Sequence, residues 1–215
     1  MPAPRLWSWN LSPFAGKVRA AFAEKGVELE LIEIDPRQRP PRLRELNPTN
    51  RVPVLEVDGQ AIRESAVICD WLEEAHPEPP LWPSDPTARA VARGLGRWVD
   101  DELARNFFLA MRKEAFGVDD TDHPHVVDHL RAALVRSWAD AEVLHSRHDG
   151  PWLMGGEAPT LADLGAIALA VRLPQWRPDL APDPGTYPRT DEWLTALRDR
   201  PSAAAVKHKG QPPPA

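Results

Sequence analysis

A serine precedes a proline at the point where a short apolar segment changes into a helical pattern. Ser12 and Pro13 follow the apolar residues 6–10 and start the pattern. A serine at the N-cap position bonds a free backbone N–H of the first turn, and proline suits the first helical position. The pair is therefore either an ordinary cap or the place where the fold holds a reactive group. No His–Asp pair stands nearby to activate the hydroxyl for acyl transfer.

Histidine and cysteine offer two further kinds of chemistry. His125 and His129 lie one helical turn apart, with Asp122 and Asp128 nearby, so a two-histidine metal site is geometrically possible. Because there is no second metal-like cluster, a polar helix start is favoured and no metal is expected. Cys69 is the only cysteine and is expected to be a buried structural thiol within a helix.

The elements that must position Ser12 follow an α/β pattern. Periodicity predicts a strand at 6–10, a helix from 13 to 25, a strand within 27–35 and a short helix at 41–46. Asp58-Gly59 between two apolar runs is a strong hairpin signal. Ser65 is expected to cap a helix that runs to Ala75. The order βαβαββα, with a parallel pair in its first unit, indicates a four-stranded mixed sheet.

The second half of the chain shows no strand pattern. Five prolines among residues 76–86 indicate a linker, and helices are expected at 87–116, across 127–144, within "GGEAPTLADLGAIALAVRL" and at 190–199. Thr160 and Asp163 form a variant of the capping box. The expected organisation is therefore an α/β domain at 1–76, a proline-rich linker at 77–86, an all-helical domain at 87–206 and a disordered tail at 207–215.

Composition narrows the class of protein. The 215 residues carry a formal net charge of −6, which disfavours nucleic-acid binding. No run of about 20 apolar residues is present, and the N-terminus lacks the pattern of a signal peptide, so no membrane contact is expected. With a single cysteine there is no internal disulfide framework. A cytoplasmic protein is the default expectation.

Four segments, in order and at suitable spacing, resemble the cytosolic glutathione transferase superfamily. They are "SPFAGKVRAAFAEKG", "LNPTNRVPVLEVDG", "RESAVICDWLEE" and "GGEAPTLADLGAIAL". The first is similar to the first-helix motif of serine-type classes, close to tau and many bacterial members, and the match spans about residues 5–206. The resemblance implies a thioredoxin-like N-terminal domain, an all-α C-terminal domain, a homodimer and glutathione as co-substrate.

The resemblance also implies roles for individual residues. Ser12 would donate a hydrogen bond to the glutathione sulfur rather than act as a nucleophile. Where thioredoxin-like redox proteins carry C-P-x-C, this chain reads Ser12-Pro13-Phe14-Ala15. Dithiol chemistry is therefore excluded at this place, and conjugation, isomerisation or peroxide reduction by bound glutathione is favoured.

The remaining glutathione contacts implied by the resemblance lie on two segments. Val52 would offer its backbone to the cysteinyl part, beside a cis bond to Pro53. Glu64 and Ser65 would hold the γ-glutamyl end, because a helix start with free N–H groups binds a carboxylate. A basic residue near the glycyl carboxylate completes the set, with candidates Arg51, Arg39 and Gln38.

The second substrate is expected between the two domains, against side chains that could equally be ordinary core or surface. The candidate walls are Trp9, Leu11, Phe108, Met111, Arg112 and Trp176.

Three hypotheses follow from the sequence. The leading one is a glutathione transferase that activates the thiol for attack on a small hydrophobic electrophile. The second is a non-catalytic interaction or regulatory protein with the same fold. The third is a glutathione-dependent isomerase, dehalogenase or ether-cleaving lyase, although "NLSPFAG" lacks the fuller Ser-Ser-Cys-like motif of zeta-type isomerases. Another small thiol in place of glutathione remains an alternative.

Overall fold

The computed structural model describes residues 3–116 and 124–207. For residues 112–116 and 124 only the backbone is described. The sheet contains four strands: β1 (Arg5–Ser8), β2 (Glu30–Glu33), β3 (Val54–Val57) and β4 (Gln60–Arg63). They lie in the order β2-β1-β3-β4. The β1·β2 pair is parallel, and the β1·β3 and β3·β4 pairs are antiparallel. The mixed four-stranded sheet predicted from the sequence is confirmed.

The helices of the sheet-containing part are α1 (Pro13–Glu24), α2 (Pro41–Leu46) and α3 (Ser65–Ala75). The helical part contains α4 (Pro86–Trp98), a π-helical segment (Val99–Ala104), α5 (Arg105–Phe116), α6 (Pro124–His145), α7 (Leu161–Leu164), α8 (Ile167–Trp176) and α9 (Pro188–Asp199). Two short 3-10 turns lie at Pro178–Leu180 and Pro201–Val206. In the described ranges, no helix is long and apolar enough to span a membrane.

Several predicted elements differ from the observed ones in their limits. The first strand ends at Ser8 rather than at residue 10, because the carbonyl of Trp9 accepts the N–H of Ser12 in a turn (2.9 Å). The helix predicted at 87–116 is interrupted by the π-helical segment. The cap of α3 is Glu64, and Ser65 is its first helical residue, so the predicted capping role of Ser65 is wrong.

The single helix predicted within residues 155–173 is two helices, α7 and α8. Gly165 lies at the break against the π-helical segment, and a Cβ placed there would lie only 2.7 Å from Cγ1 of Val99. Gly96 likewise faces Ala162 closely, with 3.5 Å from an added Cβ to that residue's Cα. An added Cβ at Gly94 would meet nothing within 4 Å. Close approach of another helix therefore explains the presence of glycine at position 96 but not at position 94.

The main core cluster continues from the sheet into the helical part, with Trp138 and Trp193 as its largest buried side chains. Each indole N–H has a partner: Trp138 donates to the carbonyl of Leu180 (2.9 Å) and Trp193 to Asp163 (3.0 Å). The carboxylate of Asp163 also accepts the N–H groups of Leu153 and of the α7 cap residue. The predicted capping box at the start of α7 is confirmed.

Candidate active site

Pairing across the sheet brings three separate segments to one edge. Trp7 on β1 lies opposite Val54 on β3, and Val54 lies opposite Arg63 on β4. The loop from β1 to α1, the residues just before β3 and the start of α3 therefore emerge side by side. Each of the three segments contains site residues predicted from the sequence: Ser12 in the first, Val52 and Pro53 in the second, and Glu64 and Ser65 in the third.

Ser12 is the N-cap of α1 and is only 2% exposed. Its Oγ accepts the backbone N–H of Ala15 at 3.2 Å. Among the described residues, no acceptor takes the hydroxyl hydrogen, so that hydrogen remains available for a ligand. The serine therefore caps its helix and can also act as a donor, because the two roles use different parts of the hydroxyl.

The segment before β3 is held by a network of backbone and side-chain contacts. The Val52–Pro53 bond is cis, as the sequence resemblance predicted. The side chain of Asn47 donates to the carbonyl of Arg51 (2.9 Å), and that of Arg39 donates to the carbonyl of Asn50 (2.6 Å). These two bonds fix the loop that presents the Val52 backbone at the edge.

The two candidate arginines differ in their contacts. Arg39 donates to the carbonyls of both Pro36 and Asn50, so it braces the loop. Arg51 is exposed, and its guanidinium forms no hydrogen bond or ion pair with any residue in the described ranges. The guanidinium of Arg51 is therefore the freer of the two for an incoming anion.

The start of α3 is strained and open. Glu64 has φ 67° and ψ 124°, in the left-handed half of conformational space that costs a non-glycine residue about 1–3 kcal/mol. Its side chain is exposed and makes no cap hydrogen bond, while Ser65 is 6% exposed. The first N–H groups of α3 therefore lack a side-chain acceptor, and this end of the helix favours a negative charge.

An aromatic cluster covers the loop between β1 and α1. Trp9 and Phe108 meet edge to face with ring centroids 5.9 Å apart, and Phe14 meets Phe108 at 6.4 Å. Phe14 was missed as a site residue, although its position directly after Pro13 was a signal. The rings are half-buried, so they form a wall between the sheet and α5.

The other four predicted wall residues differ in their surroundings. Met111 is 1% exposed and packs in the main core, which agrees with the alternative that it is an ordinary core residue. Leu11 is half-buried beside the loop. Trp176 lies with its ring 5.6 Å from the guanidinium carbon of Arg172. The side chain of Arg112 is outside the described part of the chain.

Comparison with known proteins decides the family. The family model "Glutathione S-transferase, N-terminal domain" matches residues 6–80. The probable maleylacetoacetate isomerase of Caenorhabditis elegans is 32% identical, over 97% of this chain and 95% of that protein. The chain belongs to the glutathione transferase superfamily.

Solved structures agree with this assignment. A glutathione S-transferase from Rhodospirillum rubrum has a TM-score of 0.80 at 29% identity, covering 98% of this chain and 96% of that one. One from Methylobacterium radiotolerans, in complex with glutathione sulfonate, has a TM-score of 0.78 at 29% identity, with 95% and 94% covered. The present protein is a glutathione S-transferase-like enzyme, with a thioredoxin-like N-terminal domain and a helical C-terminal region.

The sequence of this superfamily member contains only one cysteine thiol. Cys69 is 1% exposed, and burial raises the pKa of its thiol to about 12, so it is not a thiolate at neutral pH. The sequence-based interpretation as a buried structural thiol is confirmed. His125 and His129 are exposed, and Asp122 lies outside the described residues. Within the described ranges, no three His, Cys, Asp or Glu side chains are grouped to hold a metal.

Proposed function

We propose that this protein binds glutathione with its sulfur at Ser12 and uses the thiolate to attack a small hydrophobic electrophile. The observation that carries the proposal is the Ser12 hydroxyl, which caps α1 through its oxygen and donates to no acceptor among the described residues. A free thiol has a pKa of about 8.5 and is mostly protonated at neutral pH. A hydrogen bond to the sulfur and the positive end of α1 both favour the ionised form.

The proposed reaction starts with loss of the thiol proton to solvent. The S–H electron pair stays on sulfur, and the Ser12 hydroxyl donates to the resulting anion. The sulfur pair then forms a bond to the electrophilic carbon. In a substitution the leaving group departs with its own bonding pair, and in an addition the neighbouring carbon takes a proton from solvent. Ser12 remains unmodified throughout.

The rest of glutathione would extend along the edge of the sheet. The backbone of Val52, beside cis Pro53, faces the cysteinyl unit. The γ-glutamyl carboxylate would lie at the open N–H groups that begin with Ser65, and the carboxylate of Glu64 would pair with the ammonium. Arg51 would take the glycyl carboxylate, with Arg39 holding the loop in place.

The electrophile would lie against the aromatic cluster. Trp9 and Phe108 provide an apolar wall above the loop, and Leu11 borders it. The proposal keeps Arg112 as a wall residue and treats Met111 as support from the core behind. An apolar wall of this kind favours a small hydrophobic electrophile over a highly charged one.

A second candidate is a glutathione-dependent cis–trans isomerase. It is favoured by the C. elegans relative, a probable maleylacetoacetate isomerase that aligns with nearly the whole chain. The same thiolate would add to a conjugated double bond, rotation would follow about the resulting single bond, and expulsion of the thiolate would restore the double bond. Isomerisation therefore consumes no glutathione, whereas conjugation consumes one molecule in each turnover.

We also propose that the protein is a cytoplasmic homodimer. Support comes from exposed apolar side chains on α3, α4 and α6, at Val67, Val91 and Val143. A groove of about 360 Å³ between α4 and α6 is lined by Leu95, Trp98, Asp140, Val143, Leu144 and Arg147. Asp140 lies on α6 and Arg147 follows just after its C-terminal end, so an antiparallel twofold contact would place Asp140 of one copy opposite Arg147 of the other. Light scattering at several concentrations tests the dimer.

The experiment that tests the proposed function compares Ser12→Ala with Ser12→Thr. Glutathione should raise the melting temperature of the wild-type protein progressively as its concentration increases. Ser12→Ala is expected to lower the turnover number at least tenfold and to raise the pKa of the bound thiol, whereas Ser12→Thr keeps a hydroxyl and most of the activity. Full activity in Ser12→Ala would remove the role assigned to this serine.

Two further measurements separate the candidate functions. Loss of free glutathione is followed with an aryl halide as electrophile, and the absorbance of a conjugated cis-dienone is followed with catalytic glutathione. Turnover of the first substrate favours transfer, and turnover of the second without loss of glutathione favours isomerisation. Neither turnover nor a thermal shift with glutathione would leave the non-catalytic hypothesis.

A further inference from the structure

Two buried guanidinium groups converge on the loop between β1 and α1. Arg172 on α8 donates to the carbonyl oxygens of Asn10 (2.7 Å) and Leu11 (2.8 Å). Arg19 on α1 donates to the same Asn10 oxygen at 3.0 Å and to the hydroxyl of Ser8 at 2.6 Å. Two cations from separate helices thus hold the backbone immediately before the candidate catalytic serine.

The same two side chains also donate hydrogen bonds to the 3-10 turn at Pro201–Val206. Arg19 donates to the carbonyl of Ala205 (2.9 Å), and Arg172 donates to that of Val206 (3.3 Å). The loop, two helices and the turn at Pro201–Val206 therefore meet around one pair of guanidinium groups. This arrangement makes the loop part of a rigid centre rather than a free connection.

Arg172 lies in this centre without an anionic partner. It is 1% exposed, and no carboxylate in the described part of the chain forms an ion pair with it. Its Nε is buried and has no hydrogen-bond partner among the described residues. Burial, with a smaller contribution from the charge of Arg19, lowers the pKa of Arg172 to about 9, so it is still a cation at neutral pH. Burying an unpaired charge costs folding free energy, so a functional role for Arg172 would account for its presence here.

The other charged groups around the loop leave an excess of positive charge. Glu33 on β2 accepts the N–H of Asn10, and its charge raises the pKa of Arg19 against the stronger lowering by burial. Lys17 and Asp100 form an ion pair of 2.8 Å between α1 and the π-helical segment, so they neutralise each other. Glu33 thus offsets one of the two arginines, and the charge on α8 is left uncompensated.

We propose that Arg172 is a positioning residue that holds Ser12 in place and whose buried charge favours the thiolate bound there. The carbonyl of Leu11 belongs to the peptide unit that carries the N–H of Ser12. A bond from Arg172 to that oxygen therefore orients this N–H, which donates to the carbonyl of Trp9 at 2.9 Å. A nearby cation stabilises an anion across a low-dielectric interior, and the thiolate effect rests on the proposed function.

The test uses two substitutions that separate charge from geometry. Arg172→Met keeps an unbranched stem but removes the charge and the donors, whereas Arg172→Lys keeps the charge and loses the planar fork that serves two carbonyls. Arg93→Met on the exposed face of α4 is the matched control. The readouts are the pKa of bound glutathione, from the ultraviolet absorbance of its thiolate against pH, and amide hydrogen exchange of residues 9–13 in the ligand-free protein.

Arg172→Met is expected to raise the pKa of the bound thiol by about one unit and to speed exchange of the Ser12 amide about tenfold. Arg172→Lys is expected to leave that pKa near the wild-type value while still speeding exchange. If the methionine variant does not fold, the exchange measured in the lysine variant still decides the positioning claim, and Arg172→Gln, which is polar but uncharged, takes its place in the pKa measurement. Arg93→Met should change neither quantity.

Two results would overturn the proposal. Unchanged Ser12 exchange in both variants would mean that Arg172 does not position the serine. A thiol pKa that stays at the wild-type value in a folded Arg172→Met protein would mean that its charge does not act on the sulfur. If instead the proposed function is wrong, glutathione would neither raise the melting temperature of the wild-type protein nor give the absorbance of a bound thiolate. In that case the charge claim fails with it, and the exchange data alone decide the positioning claim.

Discussion

His145 is a buried histidine whose protonation should destabilise the protein in mild acid. It lies at the end of α6, is 1% exposed, and neither ring nitrogen has a hydrogen-bond partner among the described residues. Its ring lies 4.9 Å from that of Trp193. Burial lowers the pKa of His145 from 6.5 to about 4, with Glu142 opposing and Arg189 assisting. The folded state therefore holds a neutral imidazole that the unfolded chain would protonate.

The sign and size of the effect follow from this difference. Between pH 6.5 and about 4 the unfolded state binds more protons, so the free energy of unfolding falls as the pH falls. Above pH 6.5 the imidazole is neutral in both states and the contribution is complete. One pKa unit corresponds to about 1.4 kcal/mol, so this residue alone should cost about 2 kcal/mol between pH 7.5 and pH 5. For a protein of this size that is about 4–8 °C in melting temperature.

Comparing His145→Leu with His129→Gln isolates this contribution. Both variants and the wild-type protein are unfolded in urea at several pH values from 5 to 7.5. The leucine variant should lose about 2 kcal/mol less than the wild-type protein over that range, because carboxylates titrate equally in both. His129→Gln, at an exposed position of the same helix, should lose stability in parallel with the wild-type protein. If His145→Leu lost stability in parallel with the wild-type protein, the reasoning from burial would be refuted.

Two further substitutions test other parts of the structure. Glu64→Gly should raise the free energy of unfolding by roughly 1 kcal/mol, because glycine adopts φ 67° without strain, yet it should weaken glutathione binding through loss of the carboxylate. Urea unfolding and glutathione titration measure the two effects, and unchanged affinity would contradict the role of this side chain. Asp163→Ala should cost about 3–5 kcal/mol, because it leaves the donors of Leu153, Thr160 and Trp193 unpaired. The half-buried Asp191→Ala is its control, and equal losses in the two variants would contradict the reasoning.

Local signals in the sequence predicted the elements that depend on near neighbours. The hairpin at Asp58-Gly59 forms with φ values of 48° and 76°, which these residue types adopt readily. The short helix at Pro41–Leu46 has the predicted limits, and the capping box at Thr160 closes within four residues. Each of these signals works because the interacting groups are adjacent in the chain.

Features that depend on distant partners were not predicted. The π-helical segment Val99–Ala104 lies against Gly165 and contains the Asp100 partner of Lys17, so both contacts come from other elements. The same holds for Met111, which periodicity left undecided between wall and core. Packing against the helical core decided its place, since burial depends on what the rest of the chain brings alongside.

Ser12 shows most clearly the difference between what the local sequence predicts and what depends on tertiary contacts. The sequence by itself determined that a serine hydroxyl would lie at the start of a helix, because serine is preferred at the N-cap and proline at the first helical position. Only the tertiary structure decided that cis Pro53 and the start of α3 would emerge beside it, through pairing of β1 with β3 and of β3 with β4. It also brought Arg172, about 160 positions further along the chain, onto the two carbonyls before that serine. Such a long-range contact has no local pattern, because it forms only when α8 packs against α1.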